Sequence, residues 1–172
     1  ISWHHFTKVG GANTPSNAVT NLTQDQLRKI FVTGEINNWS QVGGTSAPIV
    51  VYAAQAGSGT RTTFDGFVGG SSSSQIPAGN QATRVITENN AQQIVDNGEA
   101  ANAIFYESYG RYQQATPGNS TGTAGAADSL GSIDGIAVTS TTVGDSTFPF
   151  GRSLYNVLRY PSKATKRYLD PV

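Results

Sequence analysis

Gly57-Ser58-Gly59-Thr60-Arg61 is the run whose residue types and spacing carry the clearest chemistry. Hydroxyls at Ser58 and Thr60, a guanidinium at Arg61 and two glycines that let a ligand approach the backbone describe a cradle for an oxyanion. The run follows the β-branched stretch Pro48-Ile49-Val50-Val51-Tyr52 and opens into an amphipathic segment marked by Phe64, Phe67 and Val68. A strand that turns straight into a helix leaves the first helical N–H groups without carbonyl partners, and the helix dipole adds partial positive charge there. Phosphate, sulfate or carboxylate can bind such a terminus. The same residues also suit a tight turn with a Ser or Thr cap, and the local pattern leaves both readings open.

Other chemistries fit this chain poorly. A nucleotide-binding P-loop needs a Lys after its second glycine, and none follows Gly59. Ser58 lacks the Gly-x-Ser-x-Gly setting of a hydrolase nucleophile, and the two histidines, His4 and His5, lie on a terminal strand. Adjacent strand residues face opposite ways, so one of these histidines is expected exposed and the other packed, not paired on a metal. With no cysteine, thiolate metal sites and disulfides are excluded. Asp65, Glu88, Glu99 and Glu107 are scattered and read mostly as helix-start residues rather than a catalytic pair. The spacing of Tyr106, Tyr109 and Tyr112 reads as a packed helix face, and Trp39 as a packing anchor. No enzyme chemistry, metal or cofactor is expected.

The elements that must position the cradle follow from periodicity. Residues 1 to 9 alternate as a strand, and Gly10 to Asn21 form a loop. Thr23 and Gln26 form a capping box ahead of the Leu27, Ile30, Phe31 stripe, with Gly34 at the C-cap. Ile49 to Ala53 is a buried strand, then come the cradle and a helix to about Val68. Gly69 to Asn80 is a Gly/Ser-rich loop, Arg84 to Ile86 a strand, and a helix from about Asn89 ends at Asn97-Gly98. Asn102 to Tyr106 is a strand and Thr116 to Asp128 a polar surface loop. Ile133 to Thr139 and Ser153 to Leu158 read as strands, and Ser162 to Leu169 as a closing helix. Strands alternating with helices specify an α/β fold with ligands at the carboxyl ends of strands.

At 172 residues and 37% hydrophobic content the chain suffices for one core. Formal net charge is zero and only 13% of residues are charged. No basic field therefore points to nucleic acid or an anionic membrane, while an anion cradle works through local dipoles and needs no net charge.

Three stretches resemble the phosphate-binding proteins of bacterial phosphate ABC transporters, in the type II periplasmic-binding-protein superfamily. Asn21 to Gly44 (NLTQDQLRKIFVTGEINNWSQVGG) is similar to a long family segment, Ala56-Gly57-Ser58-Gly59-Thr60-Arg61 with Phe64 to its anion loop, and Ala103-Ile104-Phe105-Tyr106 to its AIGY strand. The resemblance implies one α/β lobe with a central mixed sheet flanked by helices, the lobe inserted within a second lobe that this chain lacks. Residues 10 to 150 would form the lobe proper, with 1–9 and 150–172 as crossing and return segments. It implies binding of inorganic phosphate or a similar oxyanion through Ser58, Gly59, Thr60 and Arg61, delivery to an ABC transporter permease, and a place on the extracellular side of the membrane. Family members often carry an Arg where this chain has Ala54, so Arg61 would have to supply the positive charge. The rival expectation is a surface or adhesion domain that keeps the fold without transport.

Overall fold

The computed structural model describes residues 1–69, 84–114 and 126–153. A mixed sheet carries the molecule. Its strands β1 (Ser2–Val9), β2 (Ala12–Asn13), β4 (Val50–Ala54), β5 (Arg84–Ile86) and β6 (Ala103–Glu107) run in the order β2-β1-β6-β4-β5, and β7 (Ala126–Leu130) also pairs with β1. β4 is parallel to both β5 and β6, whereas β1 is antiparallel to β6 and β7. His4 and His5 pair with Phe105 and Ile104 on one edge and with Leu130 and Ser129 on the other, so β1 is an interior strand. A separate two-stranded ladder joins β3 (Asn21–Leu22) to β8 (Ser132–Ile133).

Alternation along the strands sends side chains into two cores, one on each face of the sheet. Trp3, Val51, Ala53, Ile104 and Tyr106 face a larger cluster with Leu27, Ile30, Phe31, Trp39, Phe64 and Phe150. Phe6, Tyr52 and Phe105 face a smaller one with Ile86, Ala91 and Ile94. Helices α1 (Gln24–Arg28) and α2 (Gly59–Phe67) therefore cover one face, and α3 (Gln92–Asp96) the other. The Thr23–Gln26 capping box opens α1, which runs on through a π-helical turn, Lys29–Thr33, to Gly34 at φ 72°. Trp39 is fully buried and donates its indole N–H to the Asn102 carbonyl at 3.2 Å, in its expected anchoring role.

Several expectations are corrected. Both histidines are buried, on opposite faces of β1: His4 meets Asp128 at 3.0 Å and His5 meets Ser16 at 2.9 Å. Core layers packed on both faces of the sheet are the reason. Burial works against a charge on His4, but the charge and hydrogen bond of Asp128 and the charge of Glu107 outweigh it and raise its pKa. Burial lowers His5 to about 4. Glu107 is a buried strand residue rather than a helix-start one.

Residues 126–128 belong to β7, not to a loop, because their small side chains fit beside β1. Tyr106 is on β6, while Tyr109 and Tyr112 lie on α4 (Tyr109–Gln114), so the three do not share a helix face. Instead of a strand over 133–139, the chain makes the short β8, a turn and then α5 (Ser140–Gly144), whose Thr139–Thr142 capping box closes its first turn. Apart from Gly69 and Ser153, the loop expected at 69–80, the strand at 153–158 and the helix at 162–169 lie outside the described residues, as does the loop over 116–125.

Candidate oxyanion site

The cradle sits where β4 ends and α2 begins, beside the end of the parallel strand β5. Both backbone groups of Ala54 are taken: its N–H donates to the Tyr106 hydroxyl at 3.1 Å, and its carbonyl accepts from Arg61 Nη1 at 2.6 Å. Gln55 N–H continues the ladder to the Ile86 carbonyl at 2.9 Å, and a turn through Gly57 at φ 85° brings the chain to Ser58. Ser58 is the N-cap of α2, its hydroxyl accepting the Arg61 N–H at 3.0 Å. Phe64, one turn further on, stacks on Tyr106 with centroids 4.2 Å apart and fixes the helix over the sheet.

Not all four expected amides face outward. Ser58 N–H is used in the turn, to the Gln55 carbonyl at 3.2 Å, and Arg61 N–H goes to the cap. Helix geometry leaves the Gly59 and Thr60 amides without carbonyl partners in α2. These two amides lie beside the Ser58 and Thr60 hydroxyls in the first turn of α2.

An anionic group already stands against them. Glu88 follows β5, and its N–H donates to Gln55 Oε1 at 2.6 Å, which ties the β5–α3 loop to the cradle loop. Burial disfavours its charge. Hydrogen bonding from the Thr60 and Ser58 hydroxyls and the Thr60 N–H, with the charge of Arg152, outweighs that and holds the Glu88 carboxyl below its ordinary value. The start of α2 thus favours the charged form of a carboxyl of the chain itself.

Arg61 does not face this group. It is 4% exposed, folded back along α2 onto the Ala54 carbonyl, with Nε 3.8 Å from Asp65. Burial pushes the Asp65 carboxyl up to about 6 even though the Arg61 charge pulls it down. The cation beside the cradle is Arg152, which sequence reasoning missed. Its Nη1 donates to Thr63 Oγ1 at 2.6 Å and to the Gly59 carbonyl at 3.2 Å. Arg152 follows Phe150 and Gly151, and Phe150 is anchored against Phe64 and Phe67 of α2; that aromatic pairing was the signal available in the sequence. Arg152 also borders a cleft of about 360 Å³ lined by Tyr109, Gln113, Ser140 and Val143.

The description of the PBP superfamily domain, the periplasmic-binding-protein group, matches residues 4–170. The chain belongs to this superfamily. This PBP-superfamily chain is 40% identical over 63 residues to the phosphate-binding protein PstS of Bacillus subtilis, a stretch of 36% of this chain and 21% of that protein. Among solved structures, it is similar to a candidate phosphate ABC transporter substrate-binding protein with bound phosphate from Clostridium perfringens. That likeness has a TM-score of 0.58 and 28% identity over 86% of this chain and 52% of the other. An ABC-type phosphate transport receptor from Vibrio cholerae shares the fold at a TM-score of 0.60 and 24% identity, over 87% and 54% of the two chains. The chain spans about half the length of these solved relatives. Its mixed α/β architecture is that of the superfamily.

Proposed function

We propose that the chain is a non-enzymatic binding lobe that takes inorganic phosphate or a similar tetrahedral oxyanion, as part of a substrate-binding protein serving an ABC importer. The observation that carries this reading is the strand-to-helix turn at the end of β4, where Ser58 caps α2 and the Gly59 and Thr60 amides have no carbonyl partner in the helix. Ser58 and Thr60 donate hydroxyl bonds, Gly59 and Thr60 donate amides, and Arg152 supplies the positive charge that the absent Arg at Ala54 would have given. Arg61 keeps the cradle in shape from beneath. A second lobe closes over the anion, and the permease receives it on the extracellular side of the membrane. The relatives named above support this assignment, as does the chain's similarity to about half of each solved one.

One wall of a two-walled cleft binds weakly, because water is not excluded and each bond to the anion is screened. For the chain by itself we expect a phosphate dissociation constant of about 1 mM, near 4 kcal/mol. Amide shifts of Gly59 and Thr60 in an NMR titration with phosphate, sulfate and arsenate measure it. Ser58→Ala is expected to weaken the interaction by about 1–3 kcal/mol, the cost of losing a bond to a charged acceptor. Absence of any shift at Gly59 and Thr60 up to 50-fold the expected constant would move the chain toward a surface domain that keeps the fold without transport.

A further inference from the structure

A second cluster lies apart from the cradle, on the other face of the sheet. His4 of β1, Glu107 of β6 and Asp128 of β7 occupy three adjacent strands, and the register puts them on one face: His4 lies opposite Phe105 and Leu130, two residues from Glu107 and Asp128 respectively. All three are buried, at 0%, 0% and 6% exposure. One ligand atom from each lies within 4.8 Å of the others. Ligand atoms on a common ion with bonds of about 2.1 Å stand about 3–4 Å apart, so small side-chain rotations close the set.

His4 Nδ1 and Asp128 Oδ1 stand 3.0 Å apart, within the spacing of two donor atoms on one ion. His4 Nε2 and Asp128 Oδ2 are buried and have no hydrogen-bond partner among the described residues. The wall is aromatic, with the Phe105 ring 5.2 Å and the Tyr112 ring 5.4 Å from the His4 ring. Burying ionisable groups among aromatic rings is costly unless they are paired or hold a metal.

We propose that His4, Glu107 and Asp128 form a binding site for one divalent first-row transition ion, with Zn²⁺ or Mn²⁺ as occupant. One imidazole and two carboxylates suit these ions, whereas Mg²⁺ and Ca²⁺ favour sets made of oxygen alone. The ion would fasten β6 and β7 to β1, a structural role independent of the oxyanion site.

The test uses the whole chain without an affinity tag, stripped with EDTA and titrated calorimetrically at pH 7.5 with ZnCl₂, MnCl₂, CaCl₂ and MgCl₂ in separate runs. The expected result is one Zn²⁺ or Mn²⁺ per chain with a constant of about 1 μM or tighter, and binding of Ca²⁺ and Mg²⁺ at least 100-fold weaker. Glu107→Gln and Asp128→Asn should each weaken the transition ion at least tenfold. No saturable binding, or unchanged binding in both variants, overturns the proposal and leaves the cluster a buried ion pair. Where a variant fails to fold, substoichiometric Mn²⁺ on the unaltered chain decides the matter. It must broaden the Phe105 and Tyr112 ring signals before those of Phe64 and Phe67, and uniform broadening or none overturns the proposal.

Discussion

Arg61 and Arg152 both carry a permanent charge close to the start of α2, yet they answer to different partners. Arg61 is enclosed and satisfies the Ala54 carbonyl; Arg152 is exposed and holds the outer surface of the first helical turn. Arg61→Ala leaves a buried carbonyl unpaired, so we expect a loss of about 1–3 kcal/mol in urea unfolding and little direct effect on phosphate. Arg152→Ala should change stability by less than about 0.5 kcal/mol and weaken phosphate binding measurably. The reverse pattern would return the ligand contact to Arg61. Glu88 offers a second residue-scale test. Removing its charge while keeping its shape, with Glu88→Gln, should tighten phosphate by about 1 kcal/mol at the partly exposed site. Weaker binding in that variant would instead make Glu88 an acceptor for the ligand's own proton. The sequence could place Ser58, Gly59 and Thr60 at the start of α2 because strand-end geometry constrains the backbone there. It could not aim Arg61, since a long side chain on a first helical turn reaches the ligand or the sheet with equal ease.

Among the elements, those with capping chemistry were legible: the Thr23–Gln26 box, Gly34, the Asn97-Gly98 stop, and a strand running into a helix at Gly59. α5 and β7 were not. α5 is a Ser/Thr-rich segment without an apolar stripe, formed through its Thr139–Thr142 box, and β7 is built of small and polar residues that carry no alternation of their own. A partner elsewhere in the chain, β1, makes β7. α2 also stores a pH dependence. The folded Asp65 carboxyl is raised to about 6 from 3.8, so the folded state binds its proton more tightly than the unfolded state does. The associated stability is complete below about pH 4 and is lost as pH rises through about 6. Unfolding free energies measured between these limits should fall with rising pH, and Asp65→Asn should flatten that slope. A slope unchanged by the substitution would assign it to other groups.

At the scale of the whole molecule, the mixed α/β sheet and its superfamily were readable from three stretches of sequence, whereas the meeting of His4 with Glu107 and Asp128 was not. Those residues are far apart in the chain and are brought together only by the register of β1. The N-terminal amine donates to the Phe150 carbonyl at 3.1 Å, so the two ends of the described chain meet beside the cleft.

The interior place of β1 also sets an order of events in folding. Ser2 pairs with Glu107 and Val9 with Ala126, so this strand must wait for partners encoded more than half the chain later. Until then Trp3 and Phe6 have no sheet to enter, and apart from its short pairing with β2 the strand presents open edges, the condition under which strands from different molecules join. Pairings this distant close large loops before any contact compensates their entropy, which slows folding. A chain ended at residue 125 lacks β7 and should fail to show a cooperative thermal transition by circular dichroism, even with every residue of the cradle loop present. The cradle loop, local as its sequence is, is then expected to form only when β1 is enclosed on both sides.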